Sequence, residues 1–225
     1  MTPQTVTVGP LAAASANNIC LSQSAAGAQA LTLNGSTVAS GVATLDAARR
    51  VLITSAADDS DITFRVTGTN AFGNAIRETI TGGNATTVYT ISDFKTITEV
   101  YASAATSGNV TVGTNGVASS PWKFSNIHIA PFSISLGVVV TGTVNYTIEY
   151  TYDNPNNNAN TIGGALGNYP STPAVYSHAT LVNDTASADG FISAPIRAWR
   201  LTVNSGATGS SSVTATGIQA GIRGA

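Results

Sequence analysis

The chain has few charged residues, a single cysteine and no long apolar run, and each shortage excludes a class of protein. Charged residues make up 9% of its 225 residues, against about 25% in an average soluble protein. The net charge of −2 is spread along the chain, so the sequence carries no electrostatic signature of nucleic-acid binding. The longest apolar run, residues 134–140, is interrupted by Ser and Gly and is far shorter than the roughly 20 residues of a membrane-spanning helix. We expect neither nucleic acid nor membrane as a partner.

Cysteine usage indicates where the chain is made. Cys20 is the only cysteine, so no disulfide can form within the chain. A lone thiol favours intracellular synthesis. The N-terminal residues also lack the charged segment and the unbroken apolar core of a secretory signal.

The chain is rich in short strand patterns separated by turn residues. Residues 62–69 alternate, with Ile62, Phe64 and Val66 on one face and polar residues on the other, which is the period of a half-buried strand. Residues 144–152 alternate in the same way. Turn dipeptides such as Asn-Gly and Gly-Gly separate several of these runs, and helical periodicity never lasts beyond a turn or two. The pattern predicts an all-β fold of the sandwich or barrel type.

Two segments, one in each half of the chain, share a pattern that predicts the domain organisation. Residues 94–112 read FKTITEVYASAATSGNVTV, and residues 196–215 read IRAWRLTVNSGATGSSSVTA. Each is an apolar-rich run, a small-residue turn and a shorter Val/Thr strand, so we interpret the chain as two tandem β-sandwich modules of jelly-roll or Ig-like type. The Gly/Asn/Ser-rich stretch 114–120 marks the boundary between them. The predicted parts are an extended N-terminal arm (residues 1–28), a first module (29–117) and a second module (118–225).

Candidate reactive groups lack partners at the spacing that catalysis requires. His128 and His178 stand in predicted strands without a neighbouring nucleophile or carboxylate, which favours structural roles. The acidic stretch 58–61 lacks the glycine and the distal glutamate of an EF-hand loop, so a solvated turn is favoured over a calcium site. The sequence contains no nucleophile elbow and no phosphate or dinucleotide fingerprint. We predict no catalytic residue, no metal site and no cofactor, and therefore no enzyme.

A group of aromatic residues leaves carbohydrate binding open as an alternative. Five tyrosines fall close together in sequence: Tyr146, Tyr150, Tyr152, Tyr169 and Tyr176. A row of aromatic rings can bind a sugar, although rings on a sheet more often pack against neighbouring strands. Residues 153–169 are rich in Asn and Gly and predict a long loop, a feature that is usually functional or partner-bound.

Two longer blocks give the chain a family likeness. Residues 62–82, ITFRVTGTNAFGNAIRETITG, followed by residues 94–113, FKTITEVYASAATSGNVTVG, resemble a block found in virion structural proteins of tailed bacteriophages. Residues 194–206, APIRAWRLTVNSG, with IQAGI at 218–222, are similar to the closing strands of such proteins. The resemblance implies a virion component, with a capsid decoration or cement protein that stabilises the mature head favoured. A tail or tail-fibre-anchoring subunit is the alternative, and no catalytic residues come with the family.

The resemblance also implies partners and a location. A decoration protein would bind the major capsid protein and other virion subunits, and would form a homo-oligomer, with a trimer favoured. It would be made in the cytoplasm of the bacterial host and reside in the virion. For contact with partners we select Leu11, Ile19 and Leu21 in the arm, and Tyr169 and Tyr176 at the long loop. An arm of low intrinsic order can fold on docking and tie subunits together.

Overall fold

The computed structural model of the chain describes residues 3–155 and 173–223, with side chains up to residue 221. These residues form sixteen strands in antiparallel sheets and no helix, which confirms the all-β class. The strands are β1 (Gln4–Val8), β2 (Ser15–Gln23), β3 (Gln29–Ala30), β4 (Val38–Ala39), β5 (Val42–Ser55), β6 (Thr63–Thr69), β7 (Ala75–Thr81), β8 (Thr87–Ala102), β9 (Val110–Ser119), β10 (Lys123–Phe124), β11 (Ile129–Thr141), β12 (Val144–Thr151), β13 (Tyr176–Ser177), β14 (Ala188–Ile192), β15 (Ala198–Gly206) and β16 (Ser212–Arg223).

The chain divides into two compact units. The central unit is Ala13–Val117, and the terminal unit combines Met1–Ala12 with Ala118–Ala225. The division falls inside β9, so residues 114–119, which the sequence marks as a boundary, belong to a strand. Thr114 is fully buried and accepts a hydrogen bond of 2.9 Å from the side chain of Asn18. A distant partner of this kind lets small polar residues form an interior strand.

The structure does not confirm an extended arm over residues 1–28. Residues 4–8 form β1 of the terminal unit and pair with β16, while residues 15–23 form β2 of the central unit and pair irregularly with β9. Leu11 is 6% exposed and Ile19 is fully buried. The apolar residues of this segment are too sparse to build a core alone, but they complete cores whose other members lie far along the chain.

The central unit is built on a sheet with the strand order β9-β5-β8-β6-β7. The predicted alternation of residues 62–69 is confirmed, because Phe64 and Val66 on β6 are fully buried while the residues between them are partly exposed. Cys20 lies in the same core, with no exposed surface. The largest fully buried members of this core are Ile19, Ile53, Phe64, Phe94 and Ile97.

Strand β8 is longer than the sequence pattern predicts. Residues 88–91 and 94–102 read as two strands, but they are parts of one strand of 16 residues. The pairing with β5 shifts register near Arg50. The Thr90 hydroxyl accepts a hydrogen bond from the Val51 backbone N–H and donates one to the Ser92 carbonyl, both at 2.9 Å. This side chain replaces the ladder bonds that are missing at the irregularity.

The terminal unit contains two sheets. One has the order β1-β16-β11-β14, and in the other β15 lies beside β12, which in turn pairs with β13. The inner faces of the two sheets meet at Gly217, where a Cβ would lie 2.5 Å from a ring atom of Trp199. Only glycine leaves room for that indole. The buried members of this layer include Ile134, Leu136, Val138, Tyr146, Ile148, Trp199, Leu201, Val203, Val213 and Ala215.

The likeness between residues 94–112 and 196–215 is limited to their strand-turn-strand pattern. Strands β8 and β9 both pair with β5 in one sheet, whereas β15 and β16 belong to different sheets. The same local pattern is therefore used in two different sheet arrangements.

Candidate functional site

The outer face of the four-stranded sheet in the terminal unit is almost uncharged, and we call it the bare face. Strand register aligns its residues in rows across the four strands, with Thr216 beside both Thr5 and Gly137. Of its ten residues only Asp189 carries a charge. The bare face consists of Thr5, Thr7, Ser135, Gly137, Val139, Asp189, Phe191, Thr214, Thr216 and Ile218.

Large apolar side chains stand on the bare face without cover. Phe191 is 69% exposed, Val139 is 61% exposed and Ile218 is 46% exposed. Phe191 and Ile218 lie on either side of Ser135, because Ser135 is the register partner of both. The Ser135 side chain between them is small and exposed. Exposed apolar side chains grouped in this way mark an interaction surface more often than isolated ones do.

Hydroxyl pairs form the other half of the bare face. The hydroxyl oxygens of Thr5 and Thr216 are 3.0 Å apart, and those of Thr7 and Thr214 are 2.8 Å apart. Each hydroxyl can both donate and accept a hydrogen bond, so these pairs retain bonding capacity toward an incoming surface. Apart from Asp189, the bare face can therefore meet a neutral polar surface without burying a charge.

The outer face of the other sheet in the same unit has a different chemistry. Glu149 Oε2 accepts hydrogen bonds from Arg200 Nε at 2.7 Å and from the Thr202 hydroxyl at 2.8 Å. The Arg200 guanidinium also donates to the Ser119 hydroxyl at 3.2 Å and lies 4.6 Å from the ring centroid of Trp122. The side chains of Arg200 and Glu149 are 11% and 14% exposed, respectively. This ion pair is shielded from water and held by several partners.

The network continues along the same strands. The Asn204 side-chain amide donates to Asn145 Oδ1 at 2.7 Å and to the Thr147 hydroxyl at 2.9 Å. Polar side chains on this surface therefore bond to each other. We call it the networked face, and it consists of Asn145, Thr147, Glu149, Arg200, Thr202 and Asn204.

Three of the tyrosines form a cluster at the edge of this sheet. Tyr150 and Tyr176 are cross-strand partners whose rings stack with centroids 5.7 Å apart, and Tyr152 meets both rings edge-on. Burial, together with Tyr152, raises the pKa of Tyr150. Tyr152 is 52% exposed and Tyr176 is 47% exposed. Tyr169 and most of the predicted loop 153–169 lie outside the described residues.

The residues that we selected for partner contact occupy different environments. Leu11 is buried in the terminal unit, where its backbone N–H donates to the Ala207 carbonyl at 2.6 Å. Ile19 is buried in the central core. Leu21 is 44% exposed and Tyr176 is 47% exposed. Of the four selected residues that the structure describes, these last two present accessible side chains, and their contact with a partner stays a prediction.

The exposed apolar residues of the bare face are the feature that sequence reasoning missed. In residues 138–140, three valines follow one another, so both faces of β11 receive apolar side chains. Strand alternation sends Val138 inward, where it is 3% exposed, and Val139 outward. Apolar residues at both odd and even positions of a strand place apolar side chains on both faces of the sheet. The three consecutive valines were therefore the signal in the sequence that could have indicated this face.

His178 has a structural role. It is 5% exposed, and its Nδ1 accepts hydrogen bonds from the backbone N–H groups of Leu181 at 3.1 Å and Thr180 at 3.2 Å. Its Nε2 lies 3.1 Å from the Phe191 carbonyl. Two donors at Nδ1 place the ring proton on Nε2, which donates to that carbonyl. The imidazole therefore ties the 178–181 turn to β14.

The acidic loop behaves as a turn. The Asp58 carboxylate accepts hydrogen bonds from the Ser60 hydroxyl at 2.7 Å and from its backbone N–H at 3.1 Å, and these bonds lower the pKa of Asp58. Within residues 3–155 and 173–223, no three His, Cys, Asp or Glu side chains group together as a metal site would require. The Asp58 carboxylate is used locally, as in an Asx turn.

Comparison of the chain with models of known protein families and with curated proteins finds no match. In the part of the chain that the structure describes, no helix is long and apolar enough to cross a membrane.

Proposed function

We propose that this chain is a structural component of a tailed-phage virion, and within the virion a capsid decoration or cement protein. The observation that carries the proposal is the bare face, whose ten residues include one charge. A surface that loses its water on assembly favours this composition, because an unpaired charge is costly to bury while hydroxyls can bond across the interface. The resemblance of residues 62–82 and 94–113 to phage virion proteins supports the same proposal.

The proposed mechanism is mechanical. Contacts that form only on the mature shell would stabilise that shell by mass action, as any ligand stabilises the state that it binds. The partners would be the major capsid protein and other virion subunits, and further copies of the chain in a symmetric oligomer, with a trimer favoured. The proposal also includes the architecture expected from the sequence. It consists of two β-sandwich modules in tandem, each of which presents sheet faces to neighbouring subunits.

Substitutions on the bare face test the proposal better than a deletion of residues 1–28. The sequence alone predicts that this deletion weakens particle binding more than folding. Ile19 and Cys20, however, have no exposed surface in the central core. Removing them would destabilise the central unit, so loss of binding by the deleted chain would report misfolding.

The first experiment places a charge on the bare face. Val139→Asp and Phe191→Asp change side chains that are 61% and 69% exposed, so the fold should persist. We expect each variant to bind particles that lack the protein at least about tenfold more weakly in co-sedimentation. The matched control is Ile91→Asp in the central unit, at a residue that is 67% exposed. Parent-like binding by both bare-face variants would remove the support for this face.

Copy number separates a head protein from a tail protein. Quantitative mass spectrometry of purified particles should find hundreds of copies for a head coat, on the order of the multiplicity that shell symmetry imposes, and about a dozen or fewer for a tail subunit. A count of about a dozen or fewer would instead favour a tail or tail-fibre-anchoring subunit. Complete absence of the chain from particles would refute both assignments.

Carbohydrate binding is the second candidate, favoured by the half-exposed rings of Tyr152 and Tyr176. Exposed rings can stack on sugar faces, although here Tyr150 and Tyr176 already cover one face of each other. Binding on a glycan array that disappears in Tyr152→Ala and Tyr176→Ala, but persists in Tyr89→Ala, would establish this alternative. Tyr89 is a suitable control because it is 54% exposed and lies in the central unit.

A further inference from the structure

Strand β1 reaches its place in the terminal unit from far away in sequence. Its unit contains residues up to Ala12 and then resumes at Ala118, after the whole central unit. In the described residues β1 pairs with β16 alone, over five register pairs from Gln4–Gly217 to Val8–Val213. β1 is therefore separated in sequence from the rest of the terminal unit by the whole central unit.

Beyond the strand pairing, three buried side chains and a few hydrogen bonds hold β1 and the residues after it. Val6, Val8 and Leu11 are 7%, 3% and 6% exposed. The Leu11 backbone N–H donates to the Ala207 carbonyl at 2.6 Å, and the Gln4 side-chain amide donates to the Phe124 carbonyl at 3.0 Å. Because β1 is an edge strand, its departure leaves the pairings of β16 with β11 and of β11 with β14 intact. Release of β1 is a local opening and does not require the sheet to unfold.

The vacated edge would be specific for the sequence of β1. Without β1, the backbone groups of β16 along this edge lose their partners, and a strand must replace them. A good replacement carries Val at the two inward positions and Thr opposite Thr214 and Thr216, as β1 does. The best complement for an open terminal unit is the β1 segment of another copy.

The connection is suited to an exchange. Residues 12–14 are three consecutive exposed alanines outside any strand, between Leu11 and the start of β2. A change of backbone direction there disturbs no buried side chain. Residues 3–11 can leave one terminal unit while residues 15–23 stay in place in the central unit.

We propose that β1 exchanges between copies of this chain, so that β1 of one protomer pairs with β16 of another. The exchanged and closed forms make the same strand contacts, so protein concentration decides between them, as in other domain swaps. The exchange links copies without adding any new contact surface. It goes beyond the function proposed above and does not require a virion.

Mixed cysteine variants test the exchange directly. The hydroxyls of Thr5 and Thr216 are 3.0 Å apart on the sheet surface, so cysteines at these two positions can form a disulfide. Chains carrying Thr5→Cys alone and chains carrying Thr216→Cys alone, with tags of different size, are mixed at high concentration and oxidised mildly. We expect a disulfide-linked pair of unlike chains whose yield rises with concentration.

The matched control uses Thr54→Cys mixed with Thr87→Cys. These hydroxyls are 2.9 Å apart between β5 and β8, inside the central unit, where no exchange is proposed. The wild-type chain, which carries only Cys20, gives the background. We expect at least about tenfold more linked pairs from the Thr5 and Thr216 mixture than from the control mixture.

The double variant Thr5→Cys/Thr216→Cys makes the result decisive. If it closes its own disulfide while the mixed single variants give no more linked pairs than the control, β1 stays in its own chain and the proposal is refuted. If the double variant fails to close at all, the β1–β16 pairing itself is contradicted and the proposal falls with it. Particle binding is measured separately, so the function proposed above can fail or stand independently.

Discussion

The bare face and the networked face belong to the same unit and to strands with the same alternation, yet their side chains are used in opposite ways. On the networked face the Glu149 carboxylate and the Arg200 guanidinium are satisfied by neighbouring side chains. On the bare face, Phe191 and Val139 stay more than half exposed. One face joins its polar side chains to each other, and the other leaves its largest apolar side chains in water.

Glu149→Ala should destabilise the terminal unit by about 3 kcal/mol, because it leaves a largely buried guanidinium without its carboxylate. Urea unfolding followed by tryptophan fluorescence measures this unit selectively, since both tryptophans, Trp122 and Trp199, lie in it. The control is Glu99→Ala, which breaks a pair with Arg65 whose side chains are 35% and 36% exposed. That surface pair should be worth less than about 1 kcal/mol, measured by circular dichroism. Equal losses would mean that the networked face is no more stabilising than the surface.

Tyr146→Phe should cost about 1 kcal/mol at neutral pH, the typical net value of a hydrogen bond. Tyr146 is fully buried on the inner side of β12, and its hydroxyl donates to the Ala186 carbonyl at 3.1 Å. The substitution keeps the ring and leaves that carbonyl without its donor. A loss above about 3 kcal/mol would indicate repacking of the layer between the sheets.

The same tyrosine predicts an alkaline limit to stability. Burial, with a smaller effect of Asp184, raises the pKa of Tyr146 to about 12, against about 10 in an unfolded chain. The folded state holds the Tyr146 hydroxyl proton more tightly than the unfolded state does. The resulting stabilisation is fully present below about pH 10 and is lost as the pH rises through about 12. Tryptophan-detected stability should fall over that range and fall less in Tyr146→Phe. Parallel pH profiles of stability for the wild-type chain and Tyr146→Phe would contradict the assignment of this alkaline loss to Tyr146.

Phe191→Thr and Val139→Thr should change stability least, by no more than about 0.5 kcal/mol, because both side chains are mainly in water. Threonine keeps a high strand propensity and removes most of the apolar surface. We expect unchanged urea midpoints together with weaker binding to particles. A loss above about 1 kcal/mol would show that these side chains support the fold and that the face is not free for a partner.

Strands whose partners are near in sequence were predictable. The alternation of residues 62–69 gave the correct inward face because β6 is covered on one side only. Arg49 illustrates what local pattern misses. It reads as a polar edge before residues 51–53, but it lies inside β5, is 1% exposed, and donates to the Asn115 carbonyl at 2.6 Å. An acceptor 66 residues away leaves no local trace.

The two N-terminal strands, β1 and β2, differ in how far the sequence predicts them. In β1, Val6 and Val8 alternate with Thr5 and Thr7, so the strand signal was present although its partner at the other end of the chain was not identifiable. In β2, residues 18–20 are all buried and the pairing with β9 is irregular. Its alternation is therefore lost. The bare face could be suspected from the valines of β11, but only strand register shows which residues share it.

The position of Cys20 has a practical consequence for following the central unit. Its thiol has no exposed surface, and burial raises the pKa of Cys20 to about 12, so almost no reactive thiolate is present near neutral pH. A thiol reagent can therefore modify the native chain only during moments when this core opens. The rate of modification therefore measures how often this core opens, and the measurement needs no introduced cysteine or label.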